Sequence, residues 1–338
     1  MQFTATRDDR QHYTLRQALT SNRASDGSFY VPVTLPVLSP EEISLLKEKS
    51  FGQCTAQILN LLFETELSGW DVDFCIGRNP VRLSTVGHRM LVGECWHNPE
   101  ETYDYLVRKL SSLLGVADND SSSWLKIVCR IAVLFGIYGQ LSRNGVDCYD
   151  IAVLCSDFSM PISVWYARKM GLPVENIICC CNENHPLWDL ICHGQLRTNT
   201  LSIPTSIPES DIIIPDELER LVFECGGSGE VLRYVEVCNQ GGLYIPDSSL
   251  LQKLQKGLSV SVVSSQRVKD TIRDVWRAHG YLLSPACALS YAGAMDYRVK
   301  NGAIKAILIL SEHNALQDAK EIAEALQTSE NTLKKYLQ

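Results

Sequence analysis

From about residue 89 onward, short apolar runs alternate with longer segments whose apolar residues recur at helical spacing. This alternation constrains the fold more than any other feature of the chain. A chain that repeats strand and helix must connect its strands by crossovers, so the strands lie mainly parallel, in an open α/β sheet with helices on both faces. The apolar runs predict strands at 90–92, 151–155, 177–181, 260–263 and 304–310. The periodic segments predict helices at 101–114, 124–142, 160–170, 216–224, 266–279, 287–300 and 315–326. Exposed loops are expected at 119–123, 206–211 and 226–229. The Gly226-Gly227-Ser228-Gly229 run reads as a connector rather than a phosphate cradle, because it follows a helix and not a strand.

The first 85 residues lack this alternation and are punctuated by Asp26-Gly27, Pro32, Pro36 and Pro40, so 1–85 reads as a small α/β subdomain ahead of a large domain at 86–338. Within it, Ser39-Pro40-Glu41-Glu42 is a helix start, with a serine cap, a proline at the first helical position and acids at the positive end of the dipole. Ile58, Leu59, Leu62 and Phe63 mark a second helix.

With 31 Lys and Arg against 39 Asp and Glu, the net charge of -8 makes nucleic acid and acidic lipid poor partners. Apolar runs such as 131–135 and 306–310 fall short of the roughly 18 residues of a membrane span, and the first fifteen residues carry no export-signal core, so a cytoplasmic protein is expected. The 13 cysteines include no Cys-x-x-Cys pair and read as reduced thiols. Cys179-Cys180-Cys181 after Ile177-Ile178 reads as a buried strand; the alternative, a zinc site with Cys192, His185 and His193, is the weaker fit, and no metal is expected. Lysine phosphate loops, dinucleotide fingerprints and nucleophile elbows are absent from the sequence. His97 and His313 follow predicted strands, at the sheet edge where open α/β folds bind ligands; either also serves as a loop cap or a satisfied buried group.

Several segments, taken in order, resemble threonine synthase, a pyridoxal-phosphate enzyme of the tryptophan-synthase-β type (fold type II). They are Ser25-Asp26-Gly27-Ser28-Phe29-Tyr30-Val31-Pro32, Glu94-Cys95-Trp96-His97-Asn98-Pro99, Gly171-Leu172-Pro173-Val174, Asn182-Glu183-Asn184, His193-Gly194-Gln195, the run from Pro215 to Glu224, His279-Gly280-Tyr281-Leu282 and Ser311-Glu312-His313. No single segment is specific; their colinearity is.

The resemblance also shows three losses. In the family a lysine after the histidine motif holds the cofactor as an imine and moves protons; its ungapped equivalent here is Asp104, or Tyr103 with a one-residue gap, and neither forms an imine. Lys109 lies five residues farther along a helix, about 7 Å away at 1.5 Å per residue. The family grips the cofactor phosphate with a Gly-Asn-Phe-Gly loop; here the loop is Ser156-Asp157-Phe158-Ser159, without glycines and with a negative charge. The family's small domain is replaced by the short stretch 115–123, too short for an α/β unit of about 30 residues.

These losses imply a pseudoenzyme without cofactor, with a vestigial cleft at His97, Tyr103, Asp104, Ser156, Asp157, Phe158, Ser159, Asn182, Asn184, Ser311, Glu312 and His313. It would be a partner-binding or metabolite-sensing protein, forming a homo-oligomer or binding a protein over the surface bared by the missing domain. The alternatives are a working threonine synthase or other pyridoxal-phosphate lyase with an atypical site, and a cofactor-free enzyme pairing His97 or His313 with Asp104, Asp157 or Glu312.

Overall fold

Hydroxyl caps set the helix starts of the N-terminal part. The computed structural model describes residues 1–21, 23–96, 102–116, 124–302 and 304–336. Strands β1 (Gln2–Ala5), β2 (Tyr13–Thr14) and β3 (Tyr30–Pro32) form an antiparallel sheet with β1 in the middle, and α1 (Leu15–Thr20) lies between the last two. Helices α2 (Pro40–Ser44), α3 (Phe51–Phe63) and α4 (Gly69–Ile76) follow. Thr14, Ser39, Ser50 and Ser68 each accept from the backbone N–H three residues on, while the side chain there returns to the cap. Each of these capping boxes is worth about 1 kcal/mol.

The main body continues with β4 (Arg82–Thr85), β5 (Met90–Glu94), α5 (Thr102–Leu114), α6 (Trp124–Arg143), β6 (Tyr149–Leu154), α7 (Ser159–Lys169) and β7 (Val174–Cys181). Then come α8 (Pro186–His193), β8 (Leu196–Arg197), α9 (Leu218–Gln240), β9 (Leu243–Tyr244), α10 (Ser248–Gly257) and β10 (Leu258–Val262). Last are α11 (Ser265–His279), α12 (Pro285–Asn301), β11 (Ala306–Ser311), α13 (Ala319–Leu326) and α14 (Glu330–Tyr336). The central sheet has the order β10-β7-β6-β11-β5-β4, parallel throughout except at β4.

Side chains alternate between two cores. Ile151, Val153, Cys179, Cys181, Leu308 and Leu310 face one, with α3, α5, α6 and α7; Ala152, Ile178, Cys180, Ile307 and Ile309 face the other, with α11, α12 and α13. This is the period-2 division expected of strands buried on both sides. Cys179, Cys180 and Cys181 are buried strand residues, as expected. α6 is long and apolar enough to cross a bilayer by length and composition, contrary to the expectation from the short apolar runs, but 83% of its apolar window is buried within the protein. A Cβ on its Gly136 would approach the Phe51 ring to 2.8 Å, and on Gly139 the Cys54 sulfur to 2.9 Å. Glycine lets α3 and α6 pack this closely.

The five predicted strands of the sheet and the seven predicted helices all form. The glycine run is a correction: 226–229 lies inside α9, which breaks only at Gly227 with φ 78° and ψ -178°. A substituent on Gly226 would meet Leu250 at 2.6 Å, so that glycine serves helix packing against α10.

The N-terminal sheet is fastened to the main body at two places. Trp124 is buried edge-on between Phe3 and Tyr166, with ring centroids 5.5 and 5.6 Å away. Around the start of α9, Glu219 accepts from Arg7 Nη2 at 2.9 Å and Nε at 3.2 Å, and also from the Thr6 hydroxyl. The Arg220 guanidinium, wholly buried, pairs with buried Glu217, donates to the Tyr30 carbonyl at 3.2 Å and lies over the Phe29 ring at 4.6 Å. The 215–224 segment is thus a structural clamp.

Candidate functional site

β6 leads into α7 on one face of the sheet, and the adjacent β11 leads through a short 3-10 turn into α13 on the other face. Between their carboxyl ends the connections diverge, which is where open α/β sheets make their ligand crevice. A cavity of about 100 Å³ lies there, lined by Arg130, Ser156, Ser159, Cys287, Glu312 and His313 among others. Small-molecule sites run to about 300–1,000 Å³, so this cavity lies below the usual range.

The loop after β6 is shaped by Asp157. Its Oδ1 accepts from the Ser159 N–H at 2.9 Å and the Ser159 hydroxyl at 2.6 Å, at the N-terminus of α7. Its own carbonyl accepts from the Glu217 N–H at 3.1 Å. Phe158, buried, caps α7 at φ 72°, a left-handed conformation that costs a non-glycine residue about 1–2 kcal/mol. The backbone therefore keeps a glycine-type turn although the glycines are gone.

Across the cavity, burial pushes the Glu312 carboxyl up in pKa, opposed by Arg130 and His313 and reinforced by Asp157 and Asp104. Burial also pushes the Cys287 thiol up to about 12, so it stays protonated at neutral pH. The Ser311 hydroxyl donates to the His313 carbonyl at 3.3 Å, and the Ser311 carbonyl accepts from the Cys95 N–H at 2.8 Å. Tyr103 is buried with its hydroxyl 3.3 Å from the Cys95 sulfur, whereas Asp104 on the same helix is exposed. His97 lies outside the described residues.

Asn182 and Asn184 have a different role from the one their place at the end of β7 implies. Asn182 Nδ2 donates to Asp211 Oδ1 at 2.7 Å and to the Thr205 hydroxyl at 3.0 Å; Asn184 Nδ2 donates to the same carboxylate at 2.9 Å and to the Ile203 carbonyl at 2.8 Å. Their oxygens accept from the Asn184 and Ile203 N–H groups. Both amides pin the 203–211 loop, and neither lines the cavity. The structure instead brings in Arg130 of α6 and the exposed Glu209, which sequence reasoning missed. The available signal was an arginine inside the apolar run Cys129-Arg130-Ile131.

Residues 2–79 match the family model "Threonine synthase N terminus". The chain is 25% identical to threonine synthase of Saccharomyces cerevisiae over 199 residues, 54% of this chain and 38% of that protein. It is 25% identical to human threonine synthase-like 1 over 250 residues, 70% of this chain and 33% of that protein. The matches thus span little more than a third of the length of these curated relatives. Among solved structures, pyridoxal-phosphate-bound threonine synthase from Brucella melitensis superposes with a TM-score of 0.85 at 18% identity, covering 96% of this chain and 91% of that one. The yeast enzyme gives 0.79 at 17% identity, covering 98% and 90%. In its N-terminal sequence and its relatives the chain is similar to threonine synthases, and it shares their fold.

Proposed function

We propose that the chain is a non-catalytic threonine synthase homologue, acting by binding a partner or a small metabolite rather than by pyridoxal-phosphate chemistry. One observation carries this reading: the cavity at the ends of β6 and β11 measures about 100 Å³ and, among the described residues, no lysine lines it. The residues present do not fit pyridoxal phosphate. An imine needs an uncharged amine at the ring aldehyde, and the positions in reach of the family's lysine hold buried Tyr103 and exposed Asp104. The undescribed stretches 97–101 and 117–123 contain no lysine in their sequence.

The cavity's own residues support a binding role on a small scale. Arg130 and His313 offer donors, Glu312 an acceptor or, when protonated, a donor, and Ser156 and Ser159 hydroxyls of either kind. Among the described lining residues, the Ser159 hydroxyl is committed to Asp157, the Ser156 hydroxyl donates to the same carboxylate at 3.4 Å, and the Cys287 thiol is held protonated.

The test is to incubate the full chain with pyridoxal phosphate, reduce with borohydride and map any pyridoxyl-lysine by mass spectrometry. No adduct within the cleft and no absorbance band of a bound internal imine are expected. A stoichiometric adduct on one lysine facing the cleft, together with threonine formation from phosphohomoserine, would establish the working-enzyme alternative instead.

A further inference from the structure

A helix N-terminus following a strand at the switch point of an α/β sheet is a ready anion seat, because its first N–H groups lack intrahelical partners and carry partial positive charge. In this chain the α7 N-terminus is that position, and a side chain of the protein already fills it. Asp157 Oδ1 takes the Ser159 N–H at 2.9 Å and the Ser159 hydroxyl at 2.6 Å. The arrangement is fixed from behind as well as in front. The Asp157 carbonyl is held by the Glu217 N–H at 3.1 Å, Phe158 is locked in a left-handed turn inside the core, and the Ser163 hydroxyl bonds the Ser159 carbonyl at 2.7 Å. The carboxylate is therefore no mobile surface acid that an incoming anion pushes aside.

We propose that Asp157 is a built-in replacement for a ligand's anionic group: the chain's own carboxylate permanently occupies the anion seat of α7, so the cleft refuses phosphate-bearing ligands and admits only small neutral or cationic ones. This deepens the reading given above and rests on it for the location of the cleft. The charges around the cavity agree. Glu312 and Glu209 line it with Arg130 as the one arginine or lysine among the described lining residues, and Asp157 adds its field to the desolvated Glu312. A dianion entering would meet these carboxylates at close range, where low dielectric strengthens repulsion several-fold over water. One of the orphan donors of α7, the Ser159 N–H, is satisfied from within by Asp157.

Thermal unfolding in inorganic phosphate, against sodium chloride at equal ionic strength, tests this on the full chain. Wild type is expected to show no phosphate-specific shift. Asp157→Gly is expected to melt about 2 °C lower in chloride through loss of the cap, and to recover in millimolar phosphate as the vacated seat fills. Phosphate-specific stabilisation of wild type would overturn the proposal, since the seat would then be open. A folded Asp157→Gly indifferent to phosphate would overturn it equally, since the carboxylate would not be what closes the seat. Should Asp157→Gly fail to fold, Asp157→Asn, which keeps the cap and removes the charge, is expected to respond to phosphate more than wild type; equal responses would count against the idea. Borohydride trapping separates this proposal from the one above. A pyridoxyl-lysine without any phosphate effect would remove the non-catalytic reading alone, and phosphate stabilisation without an adduct would remove the Asp157 assignment alone.

Discussion

Two polar regions of this molecule are organised by opposite rules. At the junction of the N-terminal sheet with α9, the buried charges are matched: Glu219 with Arg7, and Glu217 with Arg220. At the carboxyl ends of β6 and β11, carboxylates outnumber strong cations and one of them is spent on a helix end. Matching is what folding demands, because an unpaired buried charge costs several kcal/mol. A ligand site is under no such demand, and its residues are free to change once no ligand has to be held. The contrast teaches that the 215–224 run serves architecture, whereas the polar residues around the cavity are not matched in that way.

The largest expected effect tests the first region. Arg220→Ala leaves Glu217 buried without its partner and should cost about 3–5 kcal/mol in urea unfolding, enough to loosen the N-terminal sheet. Replacing both, Glu217→Leu with Arg220→Met, should cost much less, because no charge is then stranded. A single-substitution cost under about 1 kcal/mol would mean the clamp is not structural.

Next in size is the loop held by Asp211. Its carboxylate receives Asn182, Asn184, the Thr205 hydroxyl at 2.8 Å and the Thr205 N–H at 2.7 Å. Asp211→Ala should cost about 2–3 kcal/mol, by analogy with other charge-assisted hydrogen bonds, and speed hydrogen exchange of the amides at 203–211 while leaving those of α7 unchanged. Faster exchange in α7 instead would put Asn182 and Asn184 back with the cleft.

These two regions also mark how far the sequence could be read. The strand runs and long helices were legible because burial on both faces imposes continuous apolar stretches and burial on one face imposes a helical period, as in 177–181 and 266–279. The short helices α8 and α10 and the two-residue strands were not, since one to three turns carry too few positions to establish a period. Of the residues expected at the cleft from their place after strands, Ser156, Glu312 and His313 line the cavity, whereas Asp157 is turned to the Ser159 N–H and hydroxyl. Asn182 and Asn184 follow a strand too, but their partner Asp211 lies 27 to 29 residues on, and only the fold reveals that their amides are saturated. Arg130 enters from the middle of α6 on a helical face whose direction the sequence alone does not specify.

The smallest expected effect concerns Glu312, and its sign is informative. Burial raises its pKa in the folded protein above the ordinary 4.5, so the folded state holds that proton more tightly than the unfolded chain does. The stability this contributes is present in full below the ordinary carboxylate range and is lost as pH rises through the raised value. Glu312→Gln keeps the shape and removes the titration, so stability plotted against pH should be flatter for the variant from the carboxylate range upward, with the variant gaining on wild type toward neutral pH. Asp157→Asn should shift the same profile in wild-type Glu312, since it withdraws one of the charges that raises Glu312. In the clamp, burial likewise raises the Glu217 carboxyl, to about 7, against the opposing Arg220 guanidinium. Parallel pH profiles for wild type and Glu312→Gln would mean that the neighbours of Glu312 offset its burial, and the description of the cavity as short of positive charge would fail at the residue that tests it most directly.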